Sequence, residues 1–388
     1  MSERPNVLQL CLTLDTGGLE RVVVSLANEL LSTGAVHPLI CTVGKTTGSL
    51  ISEGIAPGVE WAELKGPPRF SFRTALKLAQ LVRREKIQLI HAHGTQPLIY
   101  ALSASALSGV PIVFTKHNSY EDLNFFARHS VFNYLACRRV TRFIGVSEQA
   151  TEILKRVFRP VAQRCETHIN GVALFSDAVR EHAQKSRLAG EARGELTMAT
   201  VCRLAPEKDL VTLLEAFALV RKDHGAAKLW IIGDGSERGS LMQTAEKLDL
   251  KESVKFWGFR GKVEQILSGA DVYVNSSLTE GISISILEGM SMAMPIVATA
   301  VGGTPSLIKQ GVNGFLVEPR NPEQLAGALL RLAEDRKMCR DFGEQSCLEV
   351  EANWSLRSMA EKYCEIYVEA IPPGARIWQP ADTRIESA

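Results

Sequence analysis

Several simple classes are closed to this chain by what it lacks. Its eight cysteines, Cys11, Cys41, Cys137, Cys165, Cys202, Cys339, Cys347 and Cys364, include no C-x-x-C pair, so neither a zinc ribbon nor a redox dithiol is expected. Scattered thiols, several of them inside apolar runs, read as buried side chains in a reducing compartment. The opening stretch MSERPNVLQLCLTLDTGG lacks the basic-then-apolar order of a secretory leader. No apolar run approaches the ~18–20 residues that span a bilayer. These absences predict a cytosolic protein. Aromatic residues make up only 6% of the chain, and no basic motif interleaved with aromatics suggests a nucleic-acid partner. No G-x-G-x-x-G follows the first strand-like run, which argues against a Rossmann oxidoreductase.

Net charge is also nearly absent, at +1 from 44 basic and 43 acidic residues. The total hides an asymmetry: residues 1–180 hold 20 basic and 14 acidic side chains, net +6, and the remainder is net −5. A basic first half joined to an acidic second half suggests different partners for the two.

What is present is an ordinary globular composition, 45% hydrophobic over 388 residues, long enough for two domains. Short β-branched runs alternate with helical patterns throughout. VLQLCL (7–12), HPLICTV (37–43), IQLIHAHG (87–94), PIVFTKH (111–117) and RFIGVS (142–147) read as strands of one domain. LTMATVCRL (196–204), KLWIIGDG (228–235), SVKFWGF (253–259), DVYVNSS (271–277), PIVATAV (295–301) and GFLVEP (314–319) read as strands of another. Such alternation predicts parallel sheets with right-handed crossovers. The fold class expected is α/β, two doubly wound Rossmann-like domains facing across a cleft, with ligands beyond the carboxyl ends of the strands. The boundaries expected are 1–175 for an acceptor-side domain and 196–353 for a donor domain. A polar linker is placed at 176–195. A helix at 354–371 is expected to pack back across the domains, followed by a frayed tail at 372–388.

Two clusters in the second half carry candidate chemistry. Arg203 ends a strand, and Pro206 suits a first helical position, which places Lys208 in the first turn of a helix. The helix dipole disfavours a cation there, so Lys208 is more readily explained facing an external anion, with Arg203 as a second clamp. An exposed Lys paired with Asp209 is the competing reading. The second cluster is SSLTEGISISILEGMSMAMPIVATAVGG (276–303), in which a turn with Glu280 and Gly281 opens a helix from about Ser283 to Ala293. Glu280 and Glu288 resemble a glycosidase pair. Eight residues at ~1.5 Å rise put them about 12 Å apart if the span is helical, beyond the ~5–9.5 Å such enzymes use. That spacing suits hydroxyls at opposite ends of one extended ligand with an anion between, as in a nucleotide diphosphate sugar. A capping Glu280 and a surface Glu288 are the alternative.

The ordered set TGGLER (16–21), HAHG (91–94), TKHN (115–118), GVSE (145–148), NGV (170–172), CRLAPEKDL (202–210), IIGDGSER (231–238), Glu280-x7-Glu288 and VGGTP (301–305) resembles a GT-B glycosyltransferase. It is similar to the retaining family 4, or group 1, enzymes of bacterial polysaccharide synthesis. The resemblance implies transfer of a sugar from a UDP-, GDP- or ADP-sugar donor to a glycan or lipid-linked acceptor, with retention of configuration and no metal or other cofactor. It gives Arg203 and Lys208 the donor diphosphate, Glu280 the sugar ring, and Glu288 the ribose hydroxyls. Backbone amides at Gly281, Ile282 and Ser283 would hold phosphate or sugar. Gly233 joins the donor-binding set, the turn at Gly17 and Gly18 opens toward diphosphate or acceptor, and His117 lies close to the transferred sugar. Departures lie on the sugar side. Ile282 replaces a usual phenylalanine, Ser283 a common glycine, and Ser306 a frequent glutamate. Ala293 and Met294 stand where a glycine commonly precedes the proline.

Rival readings remain open at this point. His91 and His93 share a strand face, and His117 would complete a three-histidine zinc site. A nucleotide-sugar epimerase, a phosphorylase or a non-catalytic binding protein would fit the same scaffold. Near 72–86, Arg69, Arg73, Lys77, Arg83, Arg84 and Lys86 accompany Phe70, Phe72 and Leu76. That pattern suits an anionic membrane surface, and hence a peripheral position on its inner face, as well as a solvated basic face over a core helix.

Overall fold

The computed structural model describes residues 4–15, 17–47, 54–117, 126 and 129–372. Thr16, Asn118 and the tail from 373 onward, all part of the readings above, lie outside the described residues. The chain forms two compact units, one from the residues up to Asn170 with those from Leu356 on, the other Gly171–Ser355. With these boundaries the charge split is +5 against −4.

The first unit holds a parallel sheet of β1 (Asn6–Cys11), β2 (His37–Thr42), β3 (Glu60–Glu63), β4 (Leu89–His93), β5 (Ile112–Lys116), β6 (Val140–Gly145) and β7 (Cys165–Thr167), in the order β3-β2-β1-β4-β5-β6-β7. β4 and β5 are buried along their whole length, as strands covered by helices on both faces must be. Leu8, Leu10, Ile90, Phe114 and Phe143 meet Leu78, Leu98 and Leu154 of the flanking helices in one core. The helix Leu356–Ala370 belongs to this unit and packs against the helix Gly18–Thr33.

The second unit repeats the plan with β8 (Leu196–Val201), β9 (Ala227–Ile232), β10 (Val254–Gly258), β11 (Val272–Asn275), β12 (Ile296–Thr299) and β13 (Gly314–Val317), in the order β10-β9-β8-β11-β12-β13. In both sheets the winding reverses beside the first strand, at β1/β4 and at β8/β11. Those are the topological switch points where such sheets bind ligands.

The linker expected at 176–195 is corrected. Asp177–Ala192 is a helix of the second unit with only Ala183 buried. In place of an apolar stripe, a half-buried cation anchors it. Arg187 donates to the carbonyls of Ala270, Met292 and Ala293 at 2.8–2.9 Å. A polar composition therefore reads as a linker although the segment is docked. The chain instead crosses between units at Asn170/Gly171 and returns at Ser355/Leu356.

Candidate active site

At the switch point of the second unit, the chain leaves β8 through Cys202–Ala205 and leaves β11 through Ser276–Glu280. Pro206–Lys208 forms a separate 3-10 turn, and Asp209, at φ 45°, breaks it from the helix Leu210–Asp223. Lys208 is therefore not in the first turn of that helix, and the dipole argument drawn from the sequence does not apply to it. The two exits are stitched together. Leu278 N donates to Glu207 O at 2.8 Å, and Ser276 Oγ to Lys208 O at 2.9 Å.

That stitching brings Lys208 onto Glu280, with Nζ 2.7 Å from Oε1. Glu280 is 9% exposed, and the same Oε1 accepts Ser277 Oγ at 2.7 Å and Asn275 Nδ2 at 3.2 Å. Three donors on one buried oxygen fix the carboxylate's position. Glu280 is thus neither a cap nor part of the helix, which disposes of its capping reading. The cap is Ser283, whose Oγ accepts from Ile286 N at the start of the helix Ile284–Ser291. Since only the later part of the 280–288 span is helical, the separation argued from helical rise does not hold across it.

The V-G-G segment braces the backbone around Glu280. Gly302 sits at φ +55°, and a Cβ there would lie 1.7 Å from the Glu280 carbonyl. Gly303 N donates to Gly281 O at 2.8 Å, and Thr299 Oγ1 to Ser277 O at 2.6 Å. Gly233 is required for a similar internal reason, since its Cβ would lie 1.8 Å from Cys202 O. It positions the Arg203 segment. Among the described residues, the amides of Gly281, Ile282 and Ser283 donate to no protein acceptor.

The remaining candidates divide. Arg203 is 73% exposed and pairs with Glu207. Glu288 is half-buried on the helix Ile284–Ser291. Ile282 is buried. Cys202 lies beside Lys208, and burial pushes its thiol up to about 11, which leaves it inert as a nucleophile. Ala293, where a glycine is common, adopts φ +53°, so the backbone conformation persists without the residue that takes it freely.

His117, Gly17 and Gly18 belong to the first unit. Gly17 precedes the helix Gly18–Thr33 with an extended backbone, and nothing lies within 4 Å of a Cβ built on Gly18. His117 follows β5, and its Nε2 is 2.9 Å from His93 Nδ1. Its Nδ1 is buried with no hydrogen-bond partner. Burial, reinforced by Lys116, pushes its imidazole down to about 3, so it is neutral at working pH. The ring nitrogens of His91 and His93 are engaged within the protein. His91 Nδ1 and Nε2 are engaged by Tyr367 and Thr115, His93 Nδ1 and Nε2 by His117 and Gln9. Among the described residues, no group of three His, Cys, Asp or Glu is placed to hold a metal.

The fold is shared with solved structures over nearly the whole chain. A glycosyltransferase from Rickettsia africae superposes over 95% of this chain and 99% of its own with a TM-score of 0.80 at 20% identity. Anabaena HepE in complex with UDP and glucose does so over 93% and 99% with a TM-score of 0.76 at 21% identity. These likenesses define the GT-B class. The family follows from the sequence: the model described as Glycosyltransferase Family 4 matches residues 16–174, and that described as Glycosyl transferases group 1 matches residues 183–347. Together they take in most of the chain, which belongs to the group 1, family 4 glycosyltransferases. Among curated relatives, the Escherichia coli UDP-Gal:alpha-D-GlcNAc-diphosphoundecaprenol alpha-1,3-galactosyltransferase is 25% identical over 77% of this chain and 80% of its own. The alpha-monoglucosyldiacylglycerol synthase of Streptococcus pneumoniae is 26% identical over 78% and 71%.

Sequence reasoning missed Asn275, Ser276 and Ser277, which build the Glu280 site. A polar N-S-S run ending an apolar strand at a switch point was the available signal. It also missed the buried polar chain behind His117, where Gln9, Tyr363 and Tyr367 look like core residues until the topology brings them together.

Proposed function

We propose that this glycosyltransferase moves a sugar from a nucleotide diphosphate sugar to a lipid-linked glycan acceptor, with retention at the anomeric carbon and without a metal ion. The observation that carries the reading is the Lys208–Glu280 pair at the β8/β11 switch point. An ammonium has three N–H donors; Glu280 takes one, and the others suit the donor diphosphate. Arg203 joins it cheaply, because an exposed pair such as Arg203–Glu207 is worth only ~0–1 kcal/mol. As the anomeric C–O bond breaks, its electron pair goes to the diphosphate, and the two cations supply the charge neutralisation a metal would otherwise give. Glu280, held in place by its three donors, meets the sugar ring. Glu288 meets the ribose, and the amides of Gly281–Ser283 meet phosphate or sugar.

The acceptor side rests on the first unit. The relatives named above act, by their names, on a diphosphoundecaprenol and on a diacylglycerol lipid. On the helix Phe72–Arg84, Phe72 is 79% and Leu76 55% exposed, beside exposed Arg73 and Lys77. From Lys65 to Arg84 the chain carries no acidic residue. An apolar pair ringed by uncompensated cations fits an anionic bilayer surface, and we place the protein there as a peripheral partner on the cytoplasmic side.

The test is product analysis with UDP-, GDP- and ADP-sugars and a polyprenyl-diphosphate-linked acceptor. NMR of the product should show a new glycosidic bond with the donor's anomeric configuration, formed equally in the presence of EDTA. Inversion, dependence on a divalent cation, or donor turnover that leaves donor and acceptor unlinked would each overturn the reading.

A further inference from the structure

Behind His117 runs a chain of hydrogen bonds whose direction can be worked out. Gln9 Nε2 donates to Tyr367 Oη at 3.0 Å, so Gln9 Oε1 is the acceptor that faces His93 Nε2 at 2.9 Å. His93 therefore carries its proton on Nε2 and offers Nδ1 as an acceptor. The atom 2.9 Å away, His117 Nε2, must then be the donor. A neutral imidazole holds one proton, which leaves His117 Nδ1 bare. That nitrogen is the one buried without a partner. A buried acceptor left open in an otherwise saturated network implies a ligand donor.

The far end of the chain is locked by the fold. Tyr367 Oη, fully buried on the helix Leu356–Ala370, lies 2.7 Å from His91 Nδ1, and His91 Nε2 lies 2.7 Å from Thr115 Oγ1. Every ring nitrogen behind His117 thus has a partner, and the Gln9 amide alone decides which way the protons point. Turned over, it would reverse the chain and put the His117 proton on Nδ1, making that atom a donor.

We propose that Gln9 and His93 are positioning residues. They hold His117 in its Nε2–H form so that its bare Nδ1 accepts a hydrogen bond from a hydroxyl of the transferred sugar or of the acceptor. The proposal rests on the reading that His117 faces the reacting groups.

Two-bond 1H–15N correlations on histidine-labelled protein read the tautomer directly. Wild type should show His117 protonated on Nε2. Gln9→Leu removes the acceptor that orders the chain and should give a mixture of tautomers. Gln9→Glu, whose carboxylate still accepts from His93 Nε2 and now accepts from Tyr367 Oη as well, should restore the Nε2–H form of His117, with only His91 reversed. Turnover should follow, with kcat down roughly tenfold in Gln9→Leu, donor KM unchanged, and recovery in Gln9→Glu, since a wrong tautomer misplaces a required acceptor. If donor hydrolysis without acceptor falls equally, the hydroxyl is the sugar's; if only transfer falls, it is the acceptor's. A wild-type His117 protonated on Nδ1 overturns the proposal, as does a mixed tautomer in Gln9→Leu with undiminished turnover. Unchanged turnover in His117→Ala would instead sink the underlying reading, with the tautomer result left standing as its own measurement.

Discussion

Four histidines of the first unit make its stability acid-sensitive in a way the second unit's is not. Burial pushes His117 down to about 3 and His168 to about 4, and His91 and His93 fall well below the ordinary value for the same cause. A depressed histidine contributes stability that is complete above the unfolded pKa, ~6.5, and is lost as pH falls toward the folded value. At pH 5 the unfolded imidazoles of His117 and His168 have each gained a proton that the native ones refuse, which removes about 2 kcal/mol per group, or about 1.5 pH units at 1.36 kcal/mol each. His117 and His168 together give about 4 kcal/mol, and His91 and His93, lowered by burial in the same direction, add to the loss. In the unfolded chain these groups titrate independently, so their proximity in the native state does not reduce the sum. A domain has only about 5–15 kcal/mol in total. Glu20 works in the opposite sense, since burial raises its carboxyl. In the second unit Asp271 is likewise raised by burial, and neither His182 nor His224 is buried, so acid removes no comparable stability there. Urea unfolding followed by peptide-resolved hydrogen exchange separates the units. Between pH 7.5 and 5.0 the midpoint for peptides of β4 and β5 should fall by roughly 1 M or more, given slopes of ~1–3 kcal/mol/M, while peptides of β8 and β11 hold. Equal midpoints at the two pH values, or an equal fall in both units, would refute the assignment of these histidines as buried and neutral.

Other consequences follow from single positions. Gly302→Ala places a Cβ against the Glu280 carbonyl, so turnover should drop at least tenfold with a loss of about 1–3 kcal/mol, measured by steady-state kinetics and urea unfolding. Ala293→Gly should do the reverse for stability, adding about 0.5–1 kcal/mol at a position already in the left-handed region. Arg187→Met leaves three carbonyls without their donor and should cost the second unit about 3 kcal/mol, visible as a lower urea midpoint. Phe72→Ser with Arg73→Glu and Lys77→Glu should abolish sedimentation with anionic liposomes and leave transfer to a water-soluble acceptor analogue unchanged; binding that ignores salt and these changes would remove the membrane reading.

The sheets were legible because parallel strands buried on both faces read as short apolar runs between helical patterns. All six strands of the second unit and five of the first stand out in that way. β3 and β7 do not, since EWAE and CET are short edge segments without an apolar signature. The helix Asp177–Ala192 was illegible for a different reason. Its anchor is one half-buried guanidinium rather than a stripe of apolar side chains. At the site, spacing picked out Lys208 and Glu280, yet their pairing depends on a turn broken by the left-handed backbone of Asp209 and on strand-end serines. Neither leaves a periodic trace. Gly233, a donor-binding candidate in sequence, also braces the fold, as does Gly302. The near-zero net charge concealed the split between units, which survives with corrected boundaries at +5 and −4.

The central claim is that Lys208 and Glu280 bind and turn over a nucleotide diphosphate sugar. Its most direct test is the single-turnover rate of sugar transfer, with the accepted donor, in Lys208→Ala and Glu280→Gln, each checked for an unchanged circular dichroism spectrum. The account predicts a fall of roughly 10²–10³-fold in each, the size associated with losing one preorganised charge-stabilising group. Folded variants that both transfer sugar within about threefold of wild type, less than the tenfold that 1.36 kcal/mol of barrier would give, would contradict it.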